Sequence, residues 1–258
     1  MVVNIKLYAK FLAMHLKVQL QNRMSFVLMT LGQAVMAFTG IAAVLILMNN
    51  NTEILGFSRA EVLVCGSVVM MAFSLAECFG RGFDIFPRLL GNGQFDRMLV
   101  RPCNILFQVF ASTVDITRFG RVAVSLVVLI FAIQSVTITS YLLLLSMIAS
   151  GMIVFICLFI IYGALSFFTT ESLEFMNILT DGGREFGKVP FSFYGQHVLR
   201  FLTYVVPLAC FQYYPSLFLL GKTTTIGYAL YPLLSLIFMI PTYFIWIMGR
   251  RHYRSTGS

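Results

Sequence analysis

Apolar runs of about membrane thickness, almost free of charge, alternate along this chain with short polar stretches. The runs predict six transmembrane helices, at 26–48, 60–79, 122–138, 141–168, 193–211 and 226–248, most near the ~20 residues that cross a hydrocarbon core. The third and fourth are parted only by a tight Thr-Ile-Thr-Ser turn at 137–140. The fifth is broken by Pro207 and Pro215, with Gln212, Tyr213 and Tyr214 between them. A span ending near 211 and a re-entrant piece over 212–222 fit that pattern, because irregular backbone at membrane depth needs shelter from protein or a watery cavity. Ahead of the first run, residues 4–24 have helical periodicity. Lys6, Lys10 and Lys17 fall within about 40° of one another, beside a stripe of Leu7, Phe11, Met14 and Val18. This predicts an amphipathic helix on the membrane surface with its lysines toward anionic headgroups. A solvated leader without a lipid role is the alternative.

The longest polar stretch, 80–121, lies between the second and third runs and reads as water-facing, with Arg81, Arg88, Arg97, Arg101, Arg118 and Arg121 in it. Gly91-Asn92-Gly93 interrupts any helix begun earlier, since these residues favour turns. Beyond it Phe95, Met98 and Leu99 recur at i, i+3 and i+4, flanked by Asp96, Arg97 and Arg101, until Pro102 stops the pattern. That predicts a short amphipathic helix over 94–101, placed either for a soluble partner to push or to rest on lipid headgroups. A second water-facing stretch, 169–191, holds Glu171, Glu174, Asp181, Arg184, Glu185 and Lys188 around Gly182-Gly183.

Composition agrees with the pattern. The 258 residues are 59% hydrophobic and 11% charged with mean hydropathy +0.88, whereas a soluble domain carries about 25% charged residues. The reading is an all-α integral membrane protein forming one transmembrane domain over 1–258. A net charge of +8 can signal nucleic-acid binding, but here the basic residues gather at span ends. With the N-terminus in the cytosol, sixteen Lys and Arg fall inside and only Arg59 and Lys222 outside. That bias places both termini in the cytosol and removes nucleic acid as a partner. The first apolar run is too long for a signal-peptide core and precedes no small-residue cleavage site, so it is read as a retained span. Asn50-Asn51-Thr52 is a short sequon of little weight.

Candidate chemistry is sparse. Cys65, Cys78, Cys103, Cys157 and Cys210 are far apart and form no CxxC or Cys/His spacing, which gives neither a disulfide framework nor a metal site. His15, His197 and His252 have no acid or nucleophile at a telling distance in sequence, so no catalytic constellation emerges. Residues 216–223, with Gly221-Lys222-Thr223, imitate a phosphate loop but lie in an apolar segment on the outer side. Glu77, near the end of the second span, has two readings: a local ion pair with Arg81 one turn away, or a proton-coupling carboxylate. Asp115 and Arg118 are spaced for a similar pair. Twenty-six Phe and fourteen Met could line an adaptable cavity or simply face lipid.

The run Gly93-x-x-Asp96-Arg97-x-Leu99-x-Arg101-Pro102 resembles the ABC type-two exporter permeases, in particular small six-span permeases encoded beside a separate ATPase. Pro190-Phe191, Val206-Pro207, Tyr214-Pro215 and Gly221 are similar to the same branch's proline-marked fifth span and outer re-entrant turn. Val189 departs from that pattern, which commonly has an aromatic residue before the proline. The resemblance implies a bacterial cytoplasmic-membrane permease that pairs with a second, identical or related, permease and with two cytosolic ABC ATPase subunits. ATP and magnesium would bind on those ATPases and no cofactor on this chain. It implies that the 94–101 segment is a coupling helix, with Phe95, Met98 and Leu99 buried by the ATPase, Asp96, Arg97 and Arg101 at the rim and Pro102 behind them. It further implies an outer gate at Pro207, Tyr213, Tyr214 and Pro215. Export of a hydrophobic or amphipathic drug, lipid or peptide follows. A stand-alone secondary transporter, a membrane-embedded enzyme or an assembly scaffold are the competing classes, though neither inverted repeats nor several intramembrane charges favour the first.

Overall fold

A computed structural model describes residues 5–48, 53, 54, 56–133, 138–168 and 174–253. The sequon at 50–52, Thr137, Glu171 and Arg254 lie outside the described residues. Helix α1 (Ile5–Gln21) ends where Asn22 caps α2 (Arg23–Leu47), its side-chain oxygen accepting from the Ser25 amide at 3.3 Å. A small antiparallel ribbon, β1 (Glu53–Ile54) and β2 (Phe57–Ser58), leads into α3 (Arg59–Asp84). The start of α3 is fixed by a capping box: Ser58 Oγ accepts from the Glu61 amide and Glu61 returns a carboxylate to the Ser58 amide. Four helical stretches are long and apolar enough to cross a membrane, Arg23–Leu47, Arg59–Gly91, Thr139–Leu165 and Gly227–His252.

The stretch 80–121 is not an open loop but a folded series of short helices. It continues α3 and then folds into α4 (Phe86–Gly91), α5 (Gln94–Leu99), α6 (Ile105–Ser112) and a 3-10 turn, Ile116–Arg118, before α7 (Phe119–Ala132). Phe83, Phe86, Leu90, Phe95, Val109 and Val114 are buried in it. The arginines dominate its composition, but the aromatic residues decide its packing. Gly82 lets α6 press on α3: a Cβ there would sit 1.9 Å from the Val109 carbonyl oxygen. Gly93, at φ 65°, supplies the left-handed residue from which α5 starts.

Helix α3 is the axis of the molecule, packing chiefly against α7 and α8 (Ile138–Leu165). Here two boundaries shift. Helix α7 ends at Ala132 with Ile133 outside it, residues 134–137 of the third apolar run lie outside the described residues, and Ile138 to Ser140, expected in a turn, already belong to α8.

The larger correction concerns 169–222. Helices α9 (Glu174–Leu179) and α10 (Asp181–Phe186) do not stand clear of the bundle as a loop but pack along it. Arg184 lies over the Phe73 ring at 4.8 Å. A Cβ on Gly187 would meet Val69 at 2.7 Å, and one on Gly66 would meet the Lys188 carbonyl oxygen at 2.8 Å. As the sequence advances from 184 to 188 its contacts on α3 retreat from 73 to 66, so α10 climbs antiparallel to α3 inside the bundle.

The expected single span at 193–211 is likewise two helices. A 3-10 turn (Phe191–Tyr194) and α11 (Gln196–Tyr204) precede a break at 205–207, and α12 (Leu208–Leu219) follows. Thr203 Oγ1 reaches the Tyr214 hydroxyl at 3.2 Å, and Cys210 Sγ donates to the Thr203 carbonyl at 3.5 Å. The two helices therefore fold back on each other. The chain turns at Pro207, which has no N–H to give and ends α11, whereas Pro215 is accommodated inside α12. In place of the re-entrant piece expected at 212–222 the chain forms a hairpin whose first arm begins sixteen residues earlier, at Gln196. Helices α13 (Gly227–Ser235) and α14 (Met239–His252), joined through a 3-10 turn, close the bundle.

Candidate functional site

Helix α5 has two faces with different duties. Phe95 is fully buried, in edge contact with Phe86 at 5.4 Å, Phe167 at 5.3 Å and Tyr253 at 4.8 Å. Trp246 of α14 completes this aromatic cluster against Phe83 and Phe86. Tyr253 also donates its hydroxyl to Asp96 Oδ1 at 2.8 Å. Such edge-to-face pairs carry about 0.5–1.5 kcal/mol each beyond area burial, so α5 is bolted to α4, the end of α8 and the end of α14. Phe95, expected to face a soluble partner, is consequently unavailable to one, and Asp96 is engaged within the chain. Met98 is half-buried against the core. What α5 presents outward is Arg97, Leu99, Val100, Arg101 and Pro102, with Leu99 45% and Val100 86% exposed.

Helix α1 lies against α6 rather than apart from the fold. Its Gln19 donates to the Val114 carbonyl and accepts from the Ile116 amide, His15 Nε2 lies 3.1 Å from the Ala111 carbonyl oxygen, and Tyr8 stacks on Phe110 at 5.6 Å. Lys10 and Lys17 stay exposed, as do Met14 and Val18. A cavity of about 530 Å³ separates α1 from α5 and α6, bordered by Phe11, His15, Arg97, Arg101 and Phe107.

Glu77 is the centre of a larger knot than sequence spacing foretells. Arg81 Nη1 lies 2.9 Å from its Oε1, Arg118 Nη2 reaches the same oxygen at 2.9 Å, and Arg121 Nη2 donates to Oε2. Arg81 also pairs with Asp84 at 2.8 Å and Arg118 with Asp115 at 2.9 Å. Arginines from α3 itself, from the 3-10 turn and from α7 thus converge on one carboxylate of α3. With three guanidinium groups around it, Glu77 ties α3 to the 3-10 turn and to α7, the strut-like role of a structural ion-pair cluster. Sequence spacing finds Arg81 because it is local, whereas Arg118 and Arg121 are more than forty positions away.

The hairpin α11–α12 carries the expected gate residues. Pro207 is at its turn, Tyr213 and Tyr214 are half-buried along α12 with their rings 5.3 Å apart, and Pro215 is buried. They do not form a tip together. Tyr214 packs on Tyr231 of α13 at 4.5 Å. Gln212, fully buried, donates to the carbonyls of Gly187 and Val189 and so ties α12 to the top of α10. An open, mainly apolar cavity of about 840 Å³ lies beside the hairpin turn, bordered by Leu158, Met176, Tyr204, Pro207, Tyr231 and Phe238. At the far end of α12, Gly221 turns the chain at φ 69°, and Lys222 pairs with Glu61 at 2.9 Å and lies over the Phe57 ring. The segment that imitates a phosphate loop is therefore a helix followed by a lysine already paired. Among the described residues, no three His, Cys, Asp or Glu side chains group as metal ligands.

No curated protein and no solved structure matches this chain. The family model described as ABC-2 family transporter protein does match, over residues 34–257, which takes in α5, the Glu77 knot and both arms of the hairpin. With several membrane-length apolar helices and that match, the chain is a multi-pass membrane protein of the ABC-2 transporter family.

Proposed function

We propose that the chain is the permease subunit of an ATP-driven exporter in a bacterial cytoplasmic membrane, moving an amphipathic or hydrophobic compound outward. It crosses six times, by α2, α3, α7, α8, the α9–α10 pair and α13–α14, with both termini in the cytosol and α11–α12 re-entering from the outside. It pairs with a second permease, identical or related. Two cytosolic ABC ATPases dock below and hold ATP and magnesium.

The observation that carries this reading is the divided face of α5. Its outward residues, Arg97, Leu99, Val100, Arg101 and Pro102, are free for an ATPase groove, while Phe95 is locked to the ends of α4, α8 and α14. An amphipathic helix in a groove gains affinity from its apolar residues and register from its charges. A push on α5 would be passed through Phe95 into helices that border the apolar cavity at the hairpin turn. The hairpin, with Pro207 at its bend and Tyr213, Tyr214 and Pro215 along α12, would act as the outer gate.

Co-purification tests this directly. The Leu99→Asp/Arg101→Glu variant is expected to lose the ATPase while remaining folded, because both side chains are exposed. An intact complex with undiminished ATPase activity would refute the docking assignment.

A further inference from the structure

Helix α10 and the turn after it carry Asp181, Arg184, Glu185 and Lys188 at i, i+3, i+4 and i+7, which puts three charges on one face of the helix and a fourth just past its end. The contacts on α3 set how deep that face lies. Gly66, beneath Lys188, is seven positions from Arg59, about 10 Å along the helix. Phe73, beneath Arg184, is fourteen positions from Arg59, about 21 Å, and eleven from Asp84, about 16 Å. The Lys188 ammonium does not turn toward either end but points across to α2, where a Cβ on Gly40 would meet Nζ at 2.6 Å. The stripe runs from near Asp84 at the end of α3, where Asp181 lies, past the middle of that helix at Arg184 and on to Lys188.

Four charges there need a reason. Within the stripe they neutralise one another: Arg184 lies 3.3 Å from Asp181 and 3.0 Å from Glu185, and Lys188 pairs with Glu185. The cover is uneven, however. The side chains of Arg184 and Lys188 are only 16% and 14% exposed, whereas those of Asp181 and Glu185 are 57% and 48% exposed. The bases are tucked against α3 and α2 and the acids look out. Lipid would charge each open carboxylate several kcal/mol. A dry contact with a neighbouring α2 offers nothing to pair them, since that helix has no charged residue after Arg23. Nearby, Gln212 Oε1 is buried without a hydrogen-bond partner among the described residues, which leaves one more acceptor beside the top of the stripe.

We propose that the Asp181–Lys188 stripe lines a water-filled path and receives a cationic group on the transported compound. The substrate class is then an amphiphile with an amine, quaternary ammonium or guanidinium head, whose charge exchanges with the paired arginine and lysine at Asp181 and Glu185. Energy source and direction rest on the exporter reading; the path and its sign do not.

The test uses the full chain in proteoliposomes with Cys103→Ser, the other four cysteines being buried. Glu185→Cys and, separately, Asp181→Cys are treated with two membrane-impermeant methanethiosulfonates, one trimethylammonium and one sulfonate. Leu28→Cys on the lipid face of α2 is the unreactive control. Labelling at both α10 positions is expected. Because each change removes a carboxylate and leaves the stripe at net +1, the sign is read at Phe186→Cys, a 47% exposed neighbour of Glu185 that keeps all four charges. There the cationic reagent is expected to react faster by about threefold or more. Protection from both reagents would overturn the path, and faster reaction with the sulfonate would overturn its sign. If a cysteine variant does not fold, the native chain is modified with a water-soluble carbodiimide and Asp181 and Glu185 are read by mass spectrometry. Modification of both is expected, and protection of both overturns the proposal. Because labelling needs no ATPase, its failure is separable from a failure of co-purification, which bears on the exporter reading alone.

Discussion

Helices α2 and α3 are nearly equal in length and apolar character, yet 83% of the most apolar window of α3 is buried in the protein and only 11% of that of α2. Apolarity sends both into a membrane but says nothing about which will have protein neighbours, because lipid tails are as apolar as leucine. Small residues do not separate them, since α2 carries nine Gly, Ala, Ser and Thr and α3 eight; what differs is how many of those positions other elements cover and the charged groups that α3 ties to its neighbours. Helix α3 carries Gly66, Ser67, Ala72, Ser74, Ala76, Glu77, Gly80 and Gly82, all buried, and these admit other backbones or bind other helices. Helix α2 turns Leu28, Val35, Met36, Phe38, Ile46 and Leu47 outward, each 48% or more exposed. Helix α3 becomes the axis because its small positions are met by other backbones and its carboxylates Glu77, above all, and Glu61 are met by cations of other elements.

The largest break in that contrast should come from Glu77→Gln. It leaves Arg121, whose side chain is 5% exposed, without its carboxylate, and Arg118 with only Asp115. Uncompensated buried charge costs about 3–5 kcal/mol. Thermal unfolding in detergent, followed by size-exclusion fluorescence, should show a large loss, and Glu77→Gln/Arg121→Gln should recover part of it. A Glu77→Gln protein that melts like the parent would mean that the knot is not formed.

A smaller effect is expected from a methyl group. Gly82→Ala would drive a Cβ into the Val109 carbonyl, backbone that cannot move without displacing α6, for about 1–3 kcal/mol or more. Gly32→Ala, on α2, meets nothing within 4 Å and should be neutral or slightly stabilising through helix propensity. Equal melting of the two variants would dissolve the distinction between an axis and a lipid-facing helix.

This distinction marks what the sequence could and could not say. Helix class, the membrane-length runs and the short helix before Pro102 were legible because apolar periodicity and turn residues are local signals. The family resemblance was legible from the order of its proline-marked motifs. The climb of α10 was not, since hydropathy reads Asp181, Arg184, Glu185 and Lys188 as water-facing and cannot see that they pair along one face. The i, i+3, i+4, i+7 spacing was there to find. The burial of Phe95 was hidden for a different reason: its stripe with Met98 and Leu99 identifies an apolar face but not which neighbour covers it. The partners are Phe86, Phe167 and Tyr253, brought from three other elements. Likewise the break at 205–207 competes with Pro215 as a turn signal, and only the contact of Thr203 with Tyr214 decides between them.

The smallest expected effect lies on the outer face of α2. Val35→Leu and Met36→Leu alter residues 60% and 66% exposed, keep the face apolar and should move the melting of the isolated chain by less than about 0.5 kcal/mol. The matching change on α3, Val68→Leu at a position with no exposure, must find room for a methylene in packed protein and should cost about 1–3 kcal/mol. The pair becomes more informative when measured again in the assembled transporter. If the α2 variant stays silent there, α2 meets lipid in the complex as well. If it now lowers stability or weakens pairing of the permeases, the face that looks idle in one copy is filled by the other. The contrast between the two helices would then belong to the single subunit, with α2 completed only on assembly.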